Sequence, residues 1–404
     1  MAVRSDNLRP VRKRTSKSSR TKQSFVKRNA VTEWDYFDYN LLAVVILLTC
    51  FGLVMLYSTS AYEAMLAPGG DDMSYFKKQA GISAGALVVA LWLSQRDYHT
   101  PAKFSLPIYG ISVGVLFITK FIGREVNGAK RWIYIGPISF QSAELAKLAI
   151  ILFLPVLIMK MGRQMKGWKA PLIVFLAGFI SGSFTYIFTD NLSTAIIIMG
   201  ITCVLIFVAH PKTRPFLYMI AGGGAAISLL VWFLVNTAVN SDSFRVRRIR
   251  VWINPEAASS EGGYQIMQAL YAIGSGGFFG KGLGNSTQKL GAIPEAQNDM
   301  IFAIICEELG VFGAMILILL FVFLLYRLFF IAQNAPDLLG SLIVTGIFVH
   351  IALQVVLNLA VVTNLIPTTG ITLPFVSYGG TSIVFLMAEM ALALSVSRQI
   401  RFNP

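Results

Sequence analysis

Apolar residues in this chain run in long, nearly unbroken stretches, among them 41–57 and 314–325. A half-buried strand or a one-sided helix of a soluble domain would instead alternate with polar positions. A helix apolar on every side for about 20 residues matches a hydrocarbon layer roughly 30 Å thick. Ten such segments are predicted, at approximately 39–60, 79–95, 104–122, 143–160, 170–188, 191–209, 215–238, 308–331, 338–363 and 381–397. The predicted fold class is an all-α polytopic membrane protein with about ten transmembrane helices. Composition strengthens this reading: of 404 residues only 13% are charged, against roughly 25% in soluble domains.

Charge orients the predicted spans. The formal net charge is +14, and residues 1–28 carry ten Lys/Arg against the single acid Asp6. This Ser-, Thr- and Lys-rich tail, 1–34 as a unit, has few large apolar side chains and is expected to be disordered. A basic tail before a first span favours cytoplasmic retention and anionic headgroups. It lacks the interleaved aromatic residues of a nucleic-acid platform, so nucleic acid is not an expected partner. With the tail inside, an even number of spans places both termini in the cytoplasm. The short outside loops then hold only Lys77, Lys78, Arg124, Lys130 and Arg131, while most other basic residues fall inside. The predicted division is a tail at 1–34, a membrane domain at 35–401 and a cytoplasmic end at 402–404. One large extracellular loop, about 240–299, separates spans 7 and 8, and its length lets it hold a site of its own.

Ionisable residues within the spans are few, and each is costly there. Glu144 and Lys147 open the fourth span, three residues apart and so on one helix face. A structural ion pair and a functional pair fit that spacing equally well. Glu307 and Glu308 head the eighth span, and His350 and Glu389 lie in the ninth and tenth. For His350 an interhelical hydrogen bond is the expected role. The three histidines and three cysteines show no metal-ligand or CxxC spacing. The glycine-rich stretch GSGGFFGKGLGNS (274–286) fails both the GxGxxG and the Walker patterns.

The ordered segments NGAKRWIYIGPISFQSAELAKL (127–148), FRVRRIRVWINPE (244–256), YQIMQALYAIGSGGFFGKGLGNSTQK (264–289), PEAQNDMIFAIICEELG (294–310) and NLIPTTGITLPFVSYGGTS (364–382) resemble the SEDS family of FtsW, RodA and SpoVE. The resemblance extends from about residue 35 to 401 and is nearer the FtsW and SpoVE branches. The segment TDNLSTA (189–195) departs from the PDLGTA-like pattern of many members, with Asn191 for an acid and Ser193 for a glycine. The resemblance implies a peptidoglycan glycosyltransferase that polymerises lipid II at the outer face of the cytoplasmic membrane, in division or sporulation, and a place at the division septum. It implies undecaprenyl pyrophosphate as leaving group, and as partners a class B penicillin-binding protein, a transpeptidase, with other divisome proteins. It requires no cofactor and leaves a divalent cation open.

Asp299 falls in the family's acidic motif and is the candidate catalytic base; a helix N-cap is its bland alternative. Arg131, Trp132, Glu144 and Lys147 are candidates for substrate binding near the outer surface, followed by Arg245 and Arg248 from the denser set Arg245, Arg247, Arg248 and Arg250. For Trp132 an interfacial anchor is the more ordinary use. Two other function classes stand beside the enzyme. In a lipid II flippase the buried charges would line a path near the midplane. In a noncatalytic divisome scaffold the tail and partner surfaces would carry the role.

Overall fold

The computed structural model describes residues 36–66, 70–126, 129–135, 138–212, 244–256, 263–291 and 293–401. The predicted tail at 1–34, the span predicted at 215–238 and the end at 402–404 lie outside the described residues. Helix α1 spans Tyr39–Leu66, α2 Ser74–Leu93, α3 His99–Lys103, α4 Ser105–Ile122, α5 Ser142–Met161, α6 Lys169–Thr189 and α7 Leu192–Ala209. In the large predicted loop, α8 spans Phe244–Ile253 and α9 Gly263–Ser275. Helices α10 (Ile301–Asn334), α11 (Leu338–Val362) and α12 (Ser382–Arg398) complete the chain.

Seven helices among the described residues are long and apolar enough to cross a membrane: α1, α4 to α7, α10 and α11. Helices α2 and α12 fall on two further predicted spans; α12 has 17 residues, and α2 carries Lys77 and Lys78 within its first five residues. Large apolar side chains such as Val88, Phe121 and Leu319 project outward, each more than 60% exposed. A contiguous apolar exterior of this kind suits lipid rather than water. The bundle is a polytopic membrane fold.

Polar chain ends and glycine fix where the helices stop. Asp190 adopts a left-handed conformation after α6, and Asn191 Oδ1 accepts from the Thr194 amide at 3.1 Å to cap α7. Asp337 caps α11 in the same way, accepting from the Gly340 amide at 2.7 Å. Helix α10 begins at Ile301, seven residues before the predicted span, and breaks at Gly310 (φ 68°, ψ −169°). A loop from the large connector enters that break. The Val311 and Phe312 amides donate to the Gly277 and Phe278 carbonyls at 3.0 Å each, and the Lys281 and Gly282 amides donate to the Glu307 and Glu308 carbonyls at 2.9 Å each. A Cβ on Gly310 would lie 2.4 Å from the loop backbone, so the joint requires glycine on steric as well as conformational grounds.

The all-α expectation needs one correction. Residues 124–141 form a three-stranded antiparallel sheet of β1 (Arg124–Val126), β2 (Ala129–Ile135) and β3 (Ile138–Gln141) in the order β1-β2-β3. Trp132 pairs with Gln141 across β2 and β3. The strands are short and lie between two spans, where an apolar-aromatic run reads as connector because the helical pattern around it dominates. Helix α5 packs against α4, α6, α7 and α11, and its Ile150, Ile151 and Leu154 are fully buried. It is the axis around which the site is assembled.

Candidate active site

A cavity of about 410 Å³ opens at the end of the bundle where α5, α7 and α10 start and α11 finishes. Its wall includes Arg131 and Trp132 from β2, Glu144 and Lys147 from the first turns of α5, and Asn298 and Asp299 just before α10. Five of the seven candidate residues, spread from 131 to 299 in the sequence, thus meet in one space. Arg248 comes from α8, which is clasped onto the segment after α11. Its Nη1 donates to the Thr368 carbonyl at 3.0 Å, and Trp252 Nε1 donates to the Asn364 carbonyl at 3.1 Å. Arg245 lies on α8 too, with its side chain outside the described residues.

Asp299 has a partly buried side chain. Its backbone carbonyl accepts from Asn358 Nδ2 at 2.9 Å. Burial raises its pKa to about 6; its own amide opposes the rise, Glu295 adds to it, and Arg248 and Arg131 draw it down. A carboxylic acid near 6 is better matched to proton abstraction at neutral pH than one near 3.9. Gly370, at φ +68°, leaves the approach open: a Cβ there would stand 3.8 Å from Asp299 Oδ2 and 4.0 Å from Arg131 Nη1. The carboxylate and the guanidinium therefore border the same small volume.

The two cations are held differently. Arg131 donates through Nε to the Thr189 carbonyl at 3.3 Å and through Nη2 to the Asp190 carbonyl at 2.9 Å. These carbonyls terminate α6, where the helix dipole is negative. Burial lowers the Arg131 pKa, with Asp190 and Asp299 opposing; a guanidinium still stays charged. Lys147 bonds Glu144 Oε1 at 2.9 Å and Gln354 Oε1 at 3.2 Å. Two of its three ammonium hydrogens thus have acceptors, on a side chain only 2% exposed that still borders the cavity. The pair expected from spacing exists.

The segment 189–195 also frames the cavity despite its departures from the family pattern. Asn191 and Ser193 line it, and Ser193 Oγ donates to the Thr369 carbonyl at 2.8 Å. Glu307 and Glu308 are elsewhere. Glu307 accepts from Lys281 Nζ at 2.6 Å, from Thr287 Oγ1 at 3.0 Å and from the Ser286 hydroxyl. Glu308 accepts from Ser58 Oγ at 2.7 Å and Lys289 Nζ at 2.8 Å. Both carboxylates clamp the glycine-rich loop to α10 and α1. Sequence reading passed over Gln354 and Asn358, both buried on α11; their signal was a polar residue every fourth position, continuing from His350 through an otherwise apolar helix. Among the described residues no group of three or more His, Cys, Asp or Glu side chains is placed to hold a metal ion.

Comparisons with known proteins identify the family. The FtsW/RodA/SpoVE family model, described as cell cycle protein, matches residues 38–402. The chain belongs to this family. It is 37% identical to stage V sporulation protein E of Bacillus subtilis over 368 residues, covering 90% of this chain and 98% of that protein. It is 34% identical over 381 residues to the probable peptidoglycan glycosyltransferase FtsW of the same organism, covering 91% and 92%. Among solved structures, the rod shape determining protein RodA of Thermus thermophilus superposes with a TM-score of 0.62 at 25% identity, covering 92% of this chain and 99% of RodA. A chain of a peptidoglycan synthase complex, described as coordinating polymerization and crosslinking, superposes with a TM-score of 0.74 at 27% identity, covering 90% and 98%. The match takes in the helical bundle, the sheet and every cavity residue named above.

Proposed function

We propose that this protein is a peptidoglycan glycosyltransferase that polymerises lipid II, with Asp299 as the general base. The observation that carries the reading is the juxtaposition of a half-buried carboxylate raised to about 6 with two cations in one cavity. Chain growth removes the proton from the acceptor sugar's 4-hydroxyl as its oxygen attacks the donor's anomeric carbon. The bond to undecaprenyl pyrophosphate breaks on the opposite face, so the α-linked donor gives a β-linked glycan. Asp299 takes the proton, and Arg131 and Lys147 stabilise charge developing on the departing pyrophosphate. Pyrophosphate leaves as a stable anion, so the pair of carboxyl groups typical of glycosidases is not required. Trp132 gives the sugar an aromatic wall, and Arg248 limits how far burial raises Asp299.

On this reading the cavity faces outward at the cytoplasmic membrane, with ten spans, both termini inside and the loop at 240–299 over the site. The long polyprenyl chain then stays in the bilayer while its pyrophosphate reaches the cavity at the interface. One relative's structure is a peptidoglycan synthase complex, which supports a class B penicillin-binding protein as partner, at the septum in division or sporulation. The sequence has no KTG to complete a transpeptidase's SxxK, SxN and KTG set, and no such set appears as a domain, so crosslinking is supplied in trans. Polymerisation of labelled lipid II by the purified protein, with and without its transpeptidase, tests the reading. Long glycan chains from the wild type and none from a folded Asp299→Asn variant are expected. Absence of polymer from a well-folded complex, with lipid II crossing liposomes, would replace it with the flippase.

A further inference from the structure

Helix α11 carries His350, Gln354 and Asn358 at intervals of four residues, each no more than 2% exposed. Side chains so spaced share one face and climb about 6 Å per step along the axis. Three polar side chains inside an apolar helix are unfavourable unless each has partners, and here each is hydrogen-bonded, although Asn358 Oδ1 is buried without a partner. Asn358 Nδ2 donates to the Asp299 carbonyl at 2.9 Å and to the Ile371 carbonyl at 2.7 Å. Gln354 Nε2 donates to the Thr372 carbonyl at 3.0 Å. That bond fixes the amide orientation, so Gln354 Oε1 faces the two groups that donate to it, Lys147 Nζ at 3.2 Å and His350 Nε2 at 2.8 Å. His350 must then carry a hydrogen on Nε2. Its Nδ1 meets Glu389 Oε2 of α12 at 2.8 Å.

The two ends of the reacting site are thereby tied to one rigid element. The segment bearing Asp299 hangs from Asn358, the ammonium of Lys147 rests on Gln354, and Ile371 and Thr372, which line the cavity between them, are held by the same two amides. We propose that His350, Gln354 and Asn358 are positioning residues that set the separation between the base Asp299 and the pyrophosphate-binding cation Lys147, with Glu389 anchoring the ladder to α12. The proposal rests on the glycosyltransferase reading and names how its two charged groups are kept in register. Asn358 acts on the base and Gln354 on the cation, so their loss has different kinetic signatures. A misplaced base slows the chemical step alone, whereas a displaced cation weakens the hold on the donor's pyrophosphate in binding as well as in the chemical step.

Steady-state polymerisation of labelled lipid II by the complex with its transpeptidase tests this, with Asp299→Asn run alongside and rates normalised to folded protein. Loss of one buried hydrogen bond to a charged or reacting segment corresponds to about a tenfold effect. Asn358→Leu should lower kcat about tenfold with KM little changed, and Gln354→Met should raise KM for lipid II about tenfold. Gln354→Glu, whose carboxylate still accepts from Lys147 and His350, should restore KM. If an apolar rung prevents folding, Asn358→Ser and Gln354→Glu carry the same measurement: a reduced kcat at constant KM for the first and a near-normal KM for the second. An inactive Asp299→Asn beside Asn358 and Gln354 variants whose folded fractions keep wild-type kcat and KM would overturn the ladder alone. Polymerisation by Asp299→Asn would overturn the base assignment and the ladder with it.

Discussion

Two sets of carboxylates lie at the start of α10 or beside it, and they are treated in opposite ways. Glu307 and Glu308 are completely buried, and hydroxyls, amides and the ammonium groups of Lys281 and Lys289 surround their oxygens. With acceptor capacity filled, they join a loop to a broken helix. Asp299, eight residues before Glu307, has its backbone carbonyl tied down while its carboxylate borders an open cavity. Glu144 lies between the two cases, with Oε1 on Lys147 and Oε2 buried without a hydrogen-bond partner. A buried acid that is fully bonded serves to hold the fold; one with capacity left, facing a space with cations, is available for chemistry.

Several variants press on that contrast. The largest effect is expected for Asp299→Asn, which keeps size and backbone but cannot accept the proton, and should lose on the order of 10³-fold in polymerisation rate with thermal stability unchanged. Next is Lys147→Met, which leaves Glu144 buried without its cation and should cost about 3–5 kcal/mol of stability. The double variant Glu144→Gln/Lys147→Met should regain most of that stability in thermal melts yet stay inactive, separating the pair's structural part from its part in binding. Glu307→Gln removes a carboxylate from the loop clamp and should cost about 2–3 kcal/mol, with the folded fraction polymerising normally. The smallest effect is on pH dependence. As the proposed base, Asp299 would have to be ionised, so the wild-type rate should fall below a pH of about 6 as the carboxylate protonates. Arg131→Gln removes a cation that favours the carboxylate, so Asp299 would bind its proton more tightly and the acid limb should move to higher pH.

The membrane bundle was readable because uniform apolar runs have few physical alternatives. Nine of the ten predicted spans coincide with described helices, and the seventh, at 215–238, lies outside the described residues. The Glu144 and Lys147 pairing followed from helical spacing, and His350 proved to be the interhelical hydrogen-bonding group its isolation in an apolar run suggested. What sequence could not give was long-range company. Lys147 and Gln354 are 207 residues apart and Asn358 is 59 from Asp299, and no local pattern encodes such a meeting. Likewise, α10 starts early because Gly310 interrupts it and a loop completes its backbone bonds; hydropathy registers only the apolar half beyond the break. The sheet at 124–141 was hidden because β1 and β3 have only three and four residues, and β2, AKRWIYI, does not alternate between apolar and polar positions.

The most direct measurement compares Asp299→Asn and Glu307→Gln in one lipid II polymerisation assay, with rates divided by the folded fraction of each. The account predicts no glycan chains from a stable Asp299→Asn protein and a normal specific rate from a destabilised Glu307→Gln protein. Chains made by Asp299→Asn, or a folded Glu307→Gln protein that makes none, would contradict the division between a carboxylate that reacts and one that holds.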